Sequence, residues 1–240
     1  MSRTEFFAHI RPMFGGSLTQ KQVDGIEALL AATARLPISH RAYLLATAKH
    51  ETADTMQPIT ESGGRKYFDK YDTGKIAKTL GNTPDADGDG YKYRGRGYVQ
   101  ITGRANYAKA GDWLNLDLIG NPDVALQPTI AAAILVRGCA AGWFTGRKLS
   151  DYLPGDYVNA RRIVNGTDRA ELIAIYADTF EAALMMLGDA ALTPTPVAAS
   201  PRPDPVNKTP KIEHDAPVAL TKSPWAALVA FILSLFRKGA

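Results

Sequence analysis

Two glutamates, Glu51 and Glu61, lie ten residues apart and could act together as an acid and a base. Glu51 closes a segment with helical spacing of apolar residues, where partial burial would raise its pKa and suit a general acid. Glu61 follows Thr60 and precedes two glycines, so we expect a polar loop in which it stays ionised, as a base requires. Unequal environments allow one carboxyl group to act as the acid and the other as the base. The alternative is a solvated Glu51 at a helix end, with a spacing that arises by chance.

Two short motifs with metal-binding residues are incomplete. His50-Glu51 matches the start of the zinc motif His-Glu-x-x-His, but Asp54 stands where the second histidine is needed. Residues 85–90 match the start of a calcium-binding EF-hand loop, but Arg96 stands where that loop needs its final glutamate. We therefore predict an ordinary acidic turn and no metal site.

The segment from Tyr93 to Tyr107 has the composition of a ligand-binding loop, Tyr-Arg-Gly-Arg-Gly-Tyr-Val-Gln-Ile-Thr-Gly-Arg-Ala-Asn-Tyr. Its glycines let the backbone approach a ligand, and its tyrosine, glutamine, threonine and asparagine side chains suit a sugar. A dinucleotide cofactor is not expected, because Gly95-Arg-Gly97 lacks the third glycine of that motif. Nucleic acid is not expected either, because the net charge of +4 is small and lies mostly in the C-terminal tail.

Helical signals dominate the first 190 residues. Thr19 and Gln22 form a predicted capping box, and a second helix is predicted from Ser39 to about Glu51. Apolar spacing predicts further helices over residues 126–144 and 168–187. The last of these places one group of residues on a single side: Leu172, Ile175, Tyr176, Phe180, Leu184 and Leu187. Only residues 98–102 look extended, so we predict a mostly α domain with at most a small β-sheet.

Proline and apolar residues divide the rest of the chain. Eight of the 15 prolines follow residue 193, which predicts a catalytic domain over residues 1–190 and a disordered linker over 191–222. Residues 223–240 contain an apolar run that ends in two basic residues. As a helix this run would be about 18 Å long, against about 30 Å for a bilayer core. We therefore expect residues 224–238 to associate with a membrane interface and not to cross the membrane.

The cysteine content and the N-terminal residues indicate the cell compartment in which the protein is made. Cys139 is the single cysteine, which excludes a disulfide scaffold. Residues 1–9 lack the apolar run of a secretory signal. We expect a protein that is made in the cytoplasm without a cleavable signal peptide and that acts on the cell wall after release, in association with a membrane.

Three motifs resemble those of family 19 glycoside hydrolases. They are His50-Glu51-Thr52, the segment from Tyr93 to Tyr107, and Ile163-Val-Asn-Gly166 followed by a helix, in that order. The family comprises chitinases and the chitinase-like endolysins of bacteriophages and prophages. The resemblance covers about residues 5–188 and implies a lysozyme-like, bilobal, α-rich domain with its active-site groove between the lobes.

The resemblance also implies roles for individual residues. Glu51 matches the proton donor, Glu61 the carboxylate that activates water, and Thr102 the residue that helps to hold this water. Contacts to sugar are expected from a further group within the matching motifs: Gln100, Asn106, Tyr93, Tyr98 and Asn165. Asp69 and Asp72 are the alternative bases. No metal or organic cofactor is implied, and the chain departs from the plant enzymes in lacking their disulfides and in a shorter stretch after Asn165.

The implied reaction is inverting hydrolysis of a β-1,4 bond next to an N-acetylated sugar, with the carboxyl groups about 6.5–9.5 Å apart. Peptidoglycan and chitin share such bonds. Peptidoglycan is favoured, because a compact domain without disulfides or a secretion signal suits an endolysin-type muramidase. The alternatives are a chitinase and a non-catalytic module that binds cell-wall glycans. A monomer is expected.

Overall fold

A computed structural model describes residues 2–187 of the chain. The α-helices within this range are α1 (Arg3–Ile10), α2 (Gln20–Thr33), α3 (Ile38–Glu51), α4 (Gly74–Leu80), α5 (Asp89–Lys92), α6 (Arg104–Leu114), α7 (Pro128–Ala141), α8 (Tyr157–Ala160) and α9 (Ala170–Leu187). Short 3₁₀ helices lie at Arg11–Phe14, Arg65–Tyr71, Pro122–Leu126, Leu149–Asp151 and Arg161–Ile163, and the strands are β1 (Ile59–Thr60) and β2 (Arg96–Gly97). The linker predicted over 191–222 and the segment predicted over 223–240 lie outside the described residues.

Helix α3 runs through the packed interior. Every residue from Arg41 to Lys49 is buried, so this helix has no solvent-facing side along that stretch. It packs chiefly against α9, whose buried face includes Ile173, Phe180 and Leu184. The helix predicted from Ser39 to Glu51 is confirmed, and Glu51 is its last residue. A helix that is buried throughout residues 41–49 therefore ends at the candidate acid.

The other predicted helices are present with small changes at their ends. Thr19 caps α2 in a capping box, because its side chain accepts from the Gln22 N–H and the Gln22 side chain accepts from the Thr19 N–H. Helix α7 stops at Gly142, which adopts the left-handed conformation with φ 70°. On α9 the predicted apolar side is wrong at Ile175, which is 60% exposed. Ile173 is buried in its place, because the side of α9 packed in the core is centred nearer to that residue.

The small sheet differs from the predicted strand. β1 and β2 pair antiparallel, with Ile59 opposite Gly97 and Thr60 opposite Arg96. The extended segment predicted over 98–102 is wrong: the chain folds back, so that Arg96 and Ile101 bridge each other. Two residues with positive φ allow this turn, Gly97 at 91° and Gln100 at 51°. Residues 96–101 therefore form a tight turn beside β1, which places the middle of the 93–107 segment next to Thr60.

The prediction of a mostly α domain with a small sheet is confirmed. The division into two lobes stays a prediction. Of the helices within residues 2–187, none combines the length and the apolar character needed to cross a membrane.

Candidate active site

Glu51 ends α3 with a side chain that is almost fully buried, at 7% exposure. Its Oε1 accepts a hydrogen bond from Arg161 Nη1 at 2.5 Å, and Arg161 is itself only 1% exposed. Arg161 begins a short 3₁₀ helix, and its Nε donates to the carbonyl oxygen of Asp168. A solvated Glu51, the alternative considered from the sequence, does not fit these contacts. Both charges are removed from water and satisfied by each other, the arrangement that buried ions require.

The chain leaves Glu51 through a tightly wound segment. Ala53, Asp54 and Met56 all have positive φ, which residues with a Cβ seldom adopt. The hydroxyl of Thr52 donates to the Ala48 carbonyl and accepts from the Met56 N–H, so it closes the turn from inside. The segment between the two glutamates therefore begins as a fixed structure.

Lys49 and Gly25 hold this segment from two sides. Lys49 is fully buried, and its Nζ forms an ion pair with Asp54 Oδ1 at 2.5 Å while lying 4.2 Å from the ring centre of Tyr176. Gly25 of α2 lies so close to the segment that a Cβ there would overlap the carbonyl oxygen of Met56. The backbone strain of the turn is thus balanced by contacts from α2, α3 and α9.

Glu61 follows β1 directly and is also buried, at 5% exposure. Its Oε2 accepts from the Gly95 N–H at 3.0 Å, and its Oε1 accepts from the Tyr71 hydroxyl at 3.1 Å. The Glu61 N–H donates to the Gly95 carbonyl at 2.7 Å, so pairing next to β2 fixes both backbone and side chain. The solvated polar loop predicted for Glu61 is wrong, because this strand pairing and the Tyr71 side chain cover it.

Burial raises the pKa of Glu61, and several neighbours oppose that rise. The Gly95 N–H and the Tyr71 hydroxyl stabilise the ionised carboxylate, as do the positive charges of Lys70 and Arg94. Arg161 gives Glu51 a counter-charge, whereas Glu61 has hydrogen-bond donors around its carboxyl group. The environments alone do not assign donor and base, and the assignment of Glu51 as donor rests on its motif.

The residues after β2 gather beside Glu61. Gln100 Nε2 donates to the carbonyl oxygens of Ile59 and Gly97, at 2.7 and 2.8 Å. Its Oε1 is buried and has no hydrogen-bond partner among residues 2–187, and a Cβ on Gly95 would lie 2.9 Å from it. The half-buried Thr102 donates from Oγ1 to the Gln100 carbonyl at 2.9 Å. Glu61, Gln100 and Thr102 are thus held by one small group of backbone atoms.

Comparison with known proteins identifies the family of this arrangement. The family model described as chitinase class I, glycoside hydrolase family 19, matches residues 32–148, which include Glu51, Glu61 and Thr102. The chain belongs to glycoside hydrolase family 19.

Relatives of this family 19 chain include bacterial and plant proteins. A family 19 domain-containing protein of Haemophilus influenzae is 44% identical over 59 residues, 22% of this chain and 30% of that protein. An endochitinase of Arabidopsis thaliana is 31% identical over 163 residues, 67% of this chain and 54% of the relative. The chain thus spans about half or less of the length of these relatives. Chitinase C of Streptomyces griseus is 20% identical with a TM-score of 0.47, and the match covers 78% of this chain and 76% of that chain. A second bacterial family 19 chitinase has the same identity and TM-score, with 94% of its chain covered.

Two tyrosines predicted to contact sugar instead belong to the core of the family 19 domain. Tyr93 is fully buried, its hydroxyl donates to the Ile119 carbonyl, and its ring packs against Tyr107. Tyr98 is also fully buried, and burial raises its pKa to about 12. Neither ring offers surface to a ligand in this structure, which corrects their assignment. At these two positions the aromatic rings fill volume in the protein interior and do not line a groove.

The two asparagines lie at different depths. Asn106 is half-buried at the start of α6, and its Nδ2 donates to the Thr102 carbonyl at 2.8 Å. Asn165 is 5% exposed, its N–H donates to the Arg161 carbonyl, and its Oδ1 accepts from the Gly166 N–H. Asn106 thus lies beside Thr102, and Asn165 lies on the Arg161 side of the site.

Arg161 contacts Glu51 and Tyr71 contacts Glu61, and neither contact was predicted from the sequence. Arginine is seldom fully buried, so position 161 gave no sign of an ion pair with a residue 110 positions away. The apolar neighbours Ile163 and Val164 were the available signal of burial there. Tyr71 lies in the aromatic run that includes Tyr67 and Phe68, and this run marks a small cluster that closes over Glu61.

Asp72 and the acidic turn have structural partners. Asp72 is buried and its Oδ1 accepts from the Gly90 N–H at 2.6 Å, which leaves it tied to α5, while Asp69 is exposed. Asp87 and Asp89 accept from Thr83, so the acidic turn is closed by its own hydrogen bonds. Within residues 2–187, no group of three or more histidine, cysteine or acidic side chains is arranged to hold a metal ion.

Proposed function

We propose that the protein is an inverting glycoside hydrolase that cleaves β-1,4 bonds in the glycan of peptidoglycan. The observation that carries the proposal is the pair of buried carboxyl groups, each held by donors of the protein: Glu51 by Arg161, and Glu61 by Gly95 and Tyr71. Carboxyl groups that are removed from water and fixed in direction are suited to proton transfer.

In this mechanism Glu51 acts in its protonated form and gives its proton to the glycosidic oxygen as the bond from that oxygen to the anomeric carbon breaks. The ion pair with Arg161 is the form that Glu51 takes after this transfer, until solvent returns a proton. The electron pair of the bond leaves with the protonated oxygen, and a water molecule attacks the anomeric carbon from the opposite face. Glu61 takes a proton from that water, so one proton is donated and one is accepted in each turnover. Arg161 then lies 2.5 Å from the carboxylate that Glu51 becomes, and its charge stabilises the anion formed in the reaction.

Thr102 is the residue that positions the attacking water. Its hydroxyl proton is used in the hydrogen bond to the Gln100 carbonyl, which leaves the oxygen free to accept a hydrogen bond from water. Its side chain is half-buried and therefore reachable by solvent. A water that donates one proton to Thr102 can direct its other proton towards Glu61.

Positive charge near Glu61 favours peptidoglycan over chitin as the substrate. Lys70 and Arg94 both act electrostatically on the Glu61 carboxyl group, and Arg94 lies over the ring of Tyr91 at 4.1 Å. Peptidoglycan carries carboxylates on its peptides, whereas chitin is uncharged. A cation beside an aromatic ring gives an anionic glycan both an ionic and an apolar contact. An endolysin-type muramidase is the activity that follows.

Mass spectrometry of the fragments released from purified peptidoglycan and from chitin oligomers tests this function. We expect soluble muropeptide fragments with new reducing ends, and proton NMR of the first product should show the α-anomer, as inversion of a β bond requires. Glu51→Gln is the control for contaminating activity. Cleavage of chitin alone would replace the proposal with a chitinase, the activity named for the Arabidopsis relative. Binding to peptidoglycan without any product would identify a non-catalytic glycan-binding module.

A further inference from the structure

Two tryptophans form an exposed aromatic pair outside the residues placed in catalysis. Trp113 lies near the end of α6 and Trp143 just after α7, with ring centres 5.9 Å apart and planes at 81°. Trp113 is 45% exposed and Trp143 is half-buried. Large aromatic side chains left in solvent at one place mark a binding surface more often than an accident of packing.

Two cations are built into this pair in a crossed arrangement. Lys109 of α6 lies with its Nζ 5.6 Å from the Trp143 ring centre, and Arg137 of α7 lies with its Cζ 5.7 Å from the Trp113 ring centre. The cation from α6 therefore lies by the ring that follows α7, and the cation from α7 lies by the ring on α6. Both cations are exposed, so their charged groups are available to a ligand that lies on the tryptophans.

The surface continues from the proposed active site along one side of α6. Asn106, Lys109 and Trp113 follow the spacing of residues that share a helix face, and none of the three is buried. Asn106 contacts Thr102 through its side chain. At 1.5 Å per residue, Trp113 lies about 10 Å further along the helix axis than Asn106. A polymer bound beside Thr102 could follow α6 to the tryptophan pair.

We propose that Trp113, Trp143, Lys109 and Arg137 form a second glycan-binding surface, which holds a peptidoglycan strand by its sugar rings and its carboxylates. The choice of an anionic glycan rests on the proposed function. Sugars present apolar C–H faces that pack on indole rings, and carboxylates pair with lysine and arginine. The exposed Asp112 and Asp117 on the same stretch of chain disfavour a ligand as densely charged as a nucleic acid.

Binding of the full-length Glu51→Gln protein to sedimented peptidoglycan and to chitin beads tests this surface without turnover. Adding Trp113→Ala should weaken binding to peptidoglycan about tenfold, the effect typical of removing an aromatic anchor. Adding Lys109→Gln and Arg137→Gln should weaken binding to peptidoglycan but not to chitin, and should reduce its sensitivity to salt. As a control, Lys75→Gln with Lys78→Gln on α4 removes the same charge from exposed positions elsewhere. It should change neither the binding to peptidoglycan nor the sensitivity of that binding to salt.

Activity assays separate this surface from the active site. In the protein with Glu51 intact, Trp113→Ala should leave turnover of short soluble muropeptide oligomers unchanged and lower the rate on intact peptidoglycan. The proposed glycan surface would be wrong if Trp113→Ala left binding unchanged. It would also be wrong if the substitution changed the oligomeric state and left glycan binding unchanged. If Trp113→Ala both loses binding and has a lower unfolding midpoint, Trp113→Phe distinguishes a lost contact from a damaged fold. This variant keeps an aromatic face and should restore binding. Failure of the proposed function is distinct, since the protein with native Glu51 would then release nothing from peptidoglycan.

Discussion

Arg161 and Glu51 form a buried ion pair that joins the end of α3 to the chain 110 residues later. The Arg161 guanidinium is also tied to the Asp168 carbonyl, and the Arg161 carbonyl accepts from the Asn165 N–H. The pair therefore links the His-Glu-Thr motif to the Asn-Gly motif in one connected set of bonds. The same contact stabilises the domain and fixes the carboxyl group of the proposed proton donor.

Replacing Arg161 with glutamine should lower both stability and activity. The change leaves the Glu51 carboxylate buried without its counter-charge, which typically costs about 3–5 kcal/mol of unfolding free energy. Urea denaturation measures this loss, and Arg162→Gln is a matched control because Arg162 is the exposed neighbour. Equal losses in the two variants would mean that the ion pair adds nothing to stability.

Glu51→Gln should reduce turnover by about 10²–10⁴-fold, because an amide keeps the shape of the side chain but has no proton to give. The variant should also be less stable than the wild type, since Arg161 then faces a neutral group. In the double variant with Arg161→Gln, the loss of unfolding free energy should be smaller than the sum of the single losses. A Glu51→Gln protein that keeps a third of its turnover would not be compatible with Glu51 as the donor.

The pH dependence of kcat/KM should report Glu61. A general base must be ionised, so activity falls as the pH drops through its pKa, and burial raises that pKa above the ordinary value of 4.5. The acid limb should therefore lie above pH 4.5. Tyr71→Phe removes a hydrogen bond that stabilises the carboxylate and should move this limb to still higher pH. A limb that does not move in Tyr71→Phe would assign it to another group.

Thr102→Val should lower kcat with little change in KM, because the oxygen that holds the attacking water is lost. It also removes the hydrogen bond to the Gln100 carbonyl, worth about 1 kcal/mol of unfolding free energy. Thr102→Ser keeps the hydroxyl and should recover both kcat and the free energy of unfolding. Steady-state kinetics together with thermal unfolding separate the two effects, and a stability loss with full activity would confine Thr102 to a structural role.

We propose that residues 224–238 bind a membrane interface, as their apolar run and terminal basic pair predict. The full-length protein should sediment with anionic liposomes, and removal of residues 193–240 should abolish this while leaving peptidoglycan hydrolysis intact. High salt should weaken the association in part, because only its ionic component is screened. A full-length protein that stays in the supernatant would remove the membrane proposal.

The sequence predicted the features of this domain that depend on near neighbours. The capping box at Thr19 and Gln22 and the end of α3 at Glu51 are local, because helix periodicity and capping act within one or two turns. The burial of Glu61 was missed because it depends on Gly95, which is 34 residues away. Tyr93 was misassigned because an aromatic ring suits a sugar and a core equally well, and only packing distinguishes the two.

Gly25 of α2 restricts the stretch of chain that joins the two acids. A Cβ at this position would overlap the carbonyl oxygen of Met56, which lies between Glu51 and Glu61 in the chain. A residue larger than glycine would push on the stretch of backbone that joins the two carboxyl groups. Position 25 therefore limits how far the backbone between the two proposed catalytic groups can move. Redesign of the enzyme to accept an alcohol in place of water, and so to transfer sugars instead of hydrolysing them, would have to take position 25 into account.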